Sequence, residues 1–266
     1  MGYQEIIYNK ENHVATITLN RPDAMNALTM HTYAELESAL KETNTDKEVR
    51  VLIITGAGRG FCSGDDVKQV MLDPQRIQER DEEWRTRIKP TGTPAAAALL
   101  SFGKPLIAAV NGPAVGWGMD MALMCDIRIA SERARFGELF VRRGLIPDIG
   151  GIYCLPLLVG LSKAYELLYT GDVIDAQEAL RIGLVSKVVP HEQLETVSKE
   201  LAIKIAKNPP LAVQMVKEAV RKGLNYDLAR LGEYHGYALS ILFKTEDHKE
   251  GATAFLEKRE PIFKGR

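Results

Sequence analysis

Along the first 190 residues, short apolar runs alternate with stripes of apolar residues spaced three and four apart; beyond that point only the stripes continue. The runs predict strands at 6–8, 14–19, 49–55, 106–110, 126–130, 134–136 and 184–189. Asn9-Lys10-Glu11-Asn12 parts the first two, which suggests an opening hairpin. The stripes predict helices at 29–42, 95–102, 119–125, 150–169 and 176–182. Thr29 is placed to cap the first of these, with Tyr33, Leu36 and Leu40 along one face. Four further helices follow at 192–207, 209–222, 226–243 and 245–258, the last capped by Thr245. A charged stretch at 73–89 predicts another, solvated helix, interrupted by Pro90-Thr91-Gly92-Thr93-Pro94. Strands alternating with helices, then an all-helical end, define an α/β fold with an α-helical C-terminal region.

Two strand-to-glycine junctions stand out within this pattern. The strand at 49–55 runs into Gly56-Ala57-Gly58-Arg59-Gly60 and then Phe61-Cys62-Ser63-Gly64-Asp65-Asp66. The strand at 106–110 runs into Asn111-Gly112-Pro113-Ala114-Val115-Gly116-Trp117-Gly118, after which an apolar helix begins. Glycines there let backbone approach a ligand closely, and the unpaired N–H groups at a helix start hold negative charge. The second junction therefore has the make-up of an anion hole, and equally of an ordinary crossover loop.

Composition narrows the functional classes. A chain of 266 residues with 45% hydrophobic and 26% charged content can bury a large core, and its net charge of −1 offers no general attraction to nucleic acid or anionic membrane. Cys62, Cys125 and Cys154 are too widely spaced for a metal site and odd in number, so they read as small core residues in a reducing compartment. No basic segment leads into a long apolar run at the start, and no run reaches membrane-spanning length. These features predict a cytoplasmic enzyme. The five histidines assemble into no triad or ligand cluster.

The two junctions together resemble the paired oxyanion loops of the crotonase, or enoyl-CoA hydratase/isomerase, superfamily. Asn20-Arg21-Pro22 with Asn26-Ala27-Leu28, Met124-Cys125-Asp126-Ile127-Arg128, Gly144-Leu145-Ile146-Pro147, Thr170-Gly171 and the closing Ala254-Phe255-Leu256-Glu257-Lys258-Arg259 extend the likeness over nearly the whole chain, in the family's order. The resemblance implies a spiral of β-β-α units over 1–195 and a helical region over 196–266 that supports homotrimers or hexamers. It also implies an acyl-CoA thioester substrate, with no metal or dissociable cofactor. The thioester carbonyl would sit between the backbone N–H groups of Ser63 and Trp117, where two preorganised donors stabilise an enolate oxyanion. Ala24, Met25, Ala27, Gly64, Asp65, Asp66, Lys68, Gly116 and Phe140 match the family's substrate and CoA path. Trp117 stands where the family commonly has glycine.

Two glutamates carry hydration in the family's hydratases. Here the first position is Asp120 and the second is Phe140, which exchanges no proton. Asp148, eight residues on, matches the catalytic aspartate of dienoyl-CoA and 1,2-epoxyphenylacetyl-CoA isomerases. The preferred expectation is therefore an enoyl-CoA isomerase with Asp148 as acid/base and Asp120 assisting. The alternatives are a hydratase using Asp120 with Asp148 or Glu138, a nucleophilic role for Asp148, and a non-catalytic CoA- or RNA-binding protein. As a turn residue Asp148 would also suit an N-cap, and Glu138 and Lys68 would also suit surface charges.

Overall fold

The structure, a computed structural model, describes residues 2–75, 78 and 93–266. Most of the predicted helix at 73–89 lies outside these residues. A six-stranded sheet runs β1 (Ile6–Glu11), β2 (Val14–Leu19), β3 (Val51–Gly56), β4 (Leu106–Val110), β6 (Ile127–Ser131) and β9 (Lys187–Val189) in spatial order. Only the β1–β2 hairpin is antiparallel; the remaining pairs are parallel. The pleat sends successive side chains to opposite faces. Leu52, Ile54, Leu106, Ala108 and Val110 therefore pack beneath helices Met30–Thr45, Pro94–Leu100 and Trp117–Met124. Val51, Ile53, Ile107 and Ala109 pack on the other face, beneath helix Leu194–Ala206.

A second, three-stranded sheet consists of β5 (Pro113–Val115), β7 (Arg135–Gly137) and β8 (Ile174–Asp175). The sequence reading contains neither β5 nor β8, because two or three residues are too few to show a period. This small sheet positions the site. After β4 the chain turns at Asn111 and Gly112 and crosses to β5, so the second glycine junction lies between the two sheets. Gly112 is obligatory there, since a Cβ would lie 2.0 Å from the Arg59 carbonyl oxygen.

Two expected elements change. The helix expected over 150–169 is a π-helical turn (Gly150–Cys154) and helices Leu155–Val159 and Leu161–Thr170, broken at Gly160 with φ of 78°. The last strand shrinks to Lys187–Val189, while Leu184 and Val185 become loop core. Thr29 caps its helix as expected, accepting from the His31 and Thr32 N–H groups, and Thr245 caps the last helix (Glu246–Glu257) through the His248 N–H.

The two helices before it, Pro210–Gly223 and Leu228–Leu242, bury only Ala238. Polar links tie the first of them to the core. The Lys217 ammonium lies 2.7 Å from the Asp126 carboxylate and donates to the Lys104 carbonyl at 2.6 Å, while Arg221 donates to the Leu100 carbonyl at 2.6 Å. No helix of the described residues is long and apolar enough to cross a membrane.

Candidate active site

Backbone hydrogen bonds stitch the two glycine junctions together. The Phe61 and Cys62 N–H groups both donate to the Pro113 carbonyl at 3.0 Å, and the Val115 N–H donates to the Cys62 carbonyl at 3.0 Å. This alignment brings Gly64 against the start of helix Trp117–Met124. A Cβ on Gly64, whose φ is +84°, would lie 3.3 Å from the Trp117 nitrogen. Gly116 caps that helix at φ 53° and ψ −129°, a conformation suited to glycine. Trp117 thus supplies the first N–H of the helix, which has no acceptor within it. The Ser63 N–H donates to the Met25 carbonyl at 3.1 Å.

Met25 and Asn26 both lie in the left-handed region, at φ of 52° and 56°. Non-glycine residues hold that conformation only where surroundings enforce it. Asn26 is nearly fully buried; its side chain accepts from the Arg21 N–H at 2.9 Å and donates to the Ala57 and Gly60 carbonyls at 2.9 and 2.8 Å. Arg21 reaches the Ala27 carbonyl at 2.5 Å and the Asp66 carboxylate at 3.4 Å. Asp66 in turn caps the Lys68 and Gln69 N–H groups at 3.2 Å each. Asp66 therefore braces the loops.

A cleft of about 430 Å³ opens between these loops and the short helical turn after β7. Ala24, Ala27, Ser63, Gly64, Asp65, Asp66, Lys68, Gly116, Trp117 and Phe140, all expected from sequence, line it together with Val67, Met71 and Arg143. Met25, Asp120 and Asp148 are the exceptions: none of them lines the cleft, and the Met25 side chain lies against Gly60. Arg143 was not anticipated; the only signal was the Arg142-Arg143 pair ahead of Gly144. Trp117 is 1% exposed and packs edge-on against Tyr33, centroids 4.9 Å apart, so it is both core residue and cleft wall. Tyr33, read from sequence only as an apolar face, donates its hydroxyl to Asp65 at 2.5 Å. A larger cavity, about 470 Å³, lies by the other face of the main sheet and holds none of the expected site residues.

Behind the cleft sits a group of carboxyls. Asp120 and Glu138 are both 0% exposed, and Asp148 is half-buried. Asp120 Oδ1 accepts from the Gly151 N–H at 2.5 Å, while Oδ2 has no hydrogen-bond partner. Burial raises the Asp120 pKa to about 8, helped by the charge of Asp148 and opposed by the Gly151 and Asp148 N–H groups. Glu138 is raised well above the carboxylate range by burial and by the charges of Asp120 and Asp148, and neither of its oxygens has a partner. This overturns the expectation of a surface charge: Glu138 is enclosed between the second sheet and the Gly150–Gly151 turn. Like charges so placed do not all ionise, so the group retains at least one proton at neutral pH. No group of three or more metal-ligating side chains occurs among the described residues.

The family described as enoyl-CoA hydratase/isomerase matches residues 9–266. The chain is 42% identical over 264 residues to a crotonyl-CoA hydratase of Syntrophomonas wolfei, covering 99% of each chain. It is 41% identical to a short-chain-enoyl-CoA hydratase of Clostridium acetobutylicum, covering 97% of each. Among solved structures, an enoyl-CoA hydratase of Bacillus anthracis superposes with a TM-score of 0.90 at 38% identity, covering 99% of this chain and 100% of that one.

Proposed function

Because the chain belongs to the enoyl-CoA hydratase/isomerase family, we propose that it adds water to a 2-enoyl-CoA, with Asp120 and Asp148 as the acid and base. The observation that carries this reading is the pair itself: two interacting carboxyls beside the junction of the two glycine loops, with Asp120 holding its proton up to about pH 8. The names of the relatives point the same way, since both of those compared are hydratases of enoyl thioesters.

In this reading the thioester oxygen accepts from the Trp117 and Ser63 N–H groups, the latter shared with the Met25 carbonyl. Water attacks the β-carbon and gives its proton to the Asp148 carboxylate. The electrons pass through the double bond to the thioester oxygen, forming the enolate that the two donors stabilise. The Asp120 acid then protonates the α-carbon, yielding a 3-hydroxyacyl-CoA. Asp120 is left ionised and Asp148 protonated, and one proton exchanged between them restores the starting state. The Ala24 and Ala27 loop, with Asp65, Lys68 and Arg143 at the rim, forms the CoA path. The exposed apolar faces of the C-terminal helices are assigned to contacts with further copies of the chain, as a homotrimer or hexamer.

Phe140 favours a second reading. An apolar ring on the cleft wall, where the resemblance expects a glutamate, leaves fewer carboxyls to hold the attacking water. One base suffices to shift a double bond: Asp148 takes the α-proton of a 3-enoyl-CoA and the γ-carbon is reprotonated. Proton NMR of 2-enoyl- and 3-enoyl-CoA incubated in deuterated water separates the two. Accumulation of 3-hydroxyacyl-CoA from the 2-enoyl substrate, reduced about 10²- to 10⁴-fold in Asp120→Asn, is the expected result. Conversion of the 3-enoyl to the 2-enoyl thioester with no hydroxyacyl product would replace hydration by isomerisation.

A further inference from the structure

Glu138 has no part in that reaction, yet it is enclosed as completely as any side chain in the molecule. Both of its oxygens lack a hydrogen-bond partner, and so does Asp120 Oδ2. The two side chains meet the same piece of backbone. A Cβ on Gly151 would lie 3.0 Å from Glu138 Cδ and 3.2 Å from Oε1, and the Gly151 N–H is the group that grips Asp120 Oδ1. Gly150 is pressed as closely on Asp120, where a Cβ would lie 2.5 Å from the Asp120 Cα. Glu138 therefore forms one wall of the seat that aims the Gly151 N–H at Asp120.

Burial first, and then the charges around it, favour the protonated form of Glu138. Asp120 faces it from helix Trp117–Met124 and Asp148 from the loop ahead of the π-helical turn, both negative when ionised. Asp172 lies against Gly137 but turns its carboxylate to Arg142 at 2.9 Å. Among the described residues, no cation is one of the groups shifting Glu138. A buried carboxyl with acidic neighbours and no donor keeps its proton.

We propose that Glu138 is a positioning residue for Asp120: a neutral carboxylic acid that seats Gly151 and offers its O–H to Asp120 Oδ2. This rests on Asp120 being the proton donor of the reaction proposed above. When Asp120 gives up its proton, the new carboxylate then gains the Glu138 O–H beside the Gly151 and Asp148 N–H groups. Such charge-assisted bonds stabilise the ionised form.

Two measurements on the intact chain test this. The first is difference infrared spectroscopy of the protein without substrate, labelled at glutamate with ¹³C, comparing wild type with Glu138→Gln. A protonated-carboxyl band that persists from pH 6 to 9 and is missing from the variant is expected; an ionised Glu138 in this range overturns the proposal. The second is the pH profile of kcat for wild type, Glu138→Gln and Glu138→Ala, with thermal denaturation showing that each is folded. Loss of a neutral donor weakens the Asp120 carboxylate, so in Glu138→Ala the alkaline limb moves up by about one pH unit, kcat falls about tenfold to a hundredfold and KM holds. Loss of a charged neighbour would move the limb down. Glu138→Gln, which still donates through its amide, restores the limb. A downward or absent movement in Glu138→Ala, or a folded Glu138→Gln as impaired as Glu138→Ala, overturns the positioning role. If the wild type turns over no enoyl-CoA, the reaction proposed above fails, and the infrared measurement still decides the state of Glu138.

Discussion

In the six-stranded sheet, Leu52 and Ile54 are fully covered on one face and Val51 and Ile53 on the other. In the C-terminal helices, Val216, Val220, Tyr237 and Phe243 each expose about 60% of their surface. Both regions have strong apolar patterns, but only the sheet is fully covered by the described residues of the chain. Lys217 and Arg221 tie the first of these helices to the core through polar contacts. A stripe of apolar residues thus says that a face will be covered, and not by what. The two regions should therefore answer substitution differently: the first through the stability of the single chain, the second through association.

The largest effect is expected at Gly118, where an added Cβ would lie 2.2 Å from the Cys62 carbonyl oxygen and force the stitched loops apart. Gly118→Ala should cost about 3 kcal/mol or more in urea denaturation. A near-normal midpoint would show that the loops are less rigidly joined than their hydrogen bonds imply.

Asp120→Asn should act in the opposite direction. Between pH 4 and 8 the folded chain keeps a proton on Asp120 that the unfolded chain releases, because burial raises its pKa from 3.8 to about 8. The stability this group contributes is fully present below about pH 4 and is lost as pH rises through that window. The variant, having no such proton, should be more stable than wild type by over about 1 kcal/mol at pH 8, with the advantage narrowing toward pH 4. Equal differences at pH 5 and pH 8 would contradict this account. A gain that widens from pH 5 to pH 8 would mark the site as a place where the core gives up stability for chemistry.

Val216→Ser should have the smallest effect on the single chain, within about 0.5 kcal/mol where the protein is dilute. It should nonetheless lower the mass seen in sedimentation at higher concentration. An unchanged mass together with a clear loss of stability would place Val216 inside the fold and erase the contrast between the two regions.

Most of the architecture was legible because strands such as β3 and β4 are long enough to show their pleat and because Thr29 and Thr245 announce their helices. β5 and β8 were not, being too short for any period. The cleft was legible through the loops: ten of its lining residues are among those the resemblance picks out. Glu138 was misread because a charged residue is exposed by default, and the neighbours that make it an exception, Asp120 and Gly151, are distant in sequence. Tyr33 was half read, since a helical stripe reports the ring and not the hydroxyl that holds Asp65. Arg143 carries its signal only once the fold brings it to the cleft.

The turn at Gly150 and Gly151 also constrains how this sequence can change over generations. A side chain at either position would collide with Asp120 or Glu138, and replacing Asp120 or Glu138 alters what the turn rests on. A side chain at either glycine therefore requires a change at the residues it would meet, whereas Ile152, 44% exposed, is under no such constraint. This buried carboxyl corner of the molecule is in that sense inherited as one character, spelled in three separate stretches of the chain.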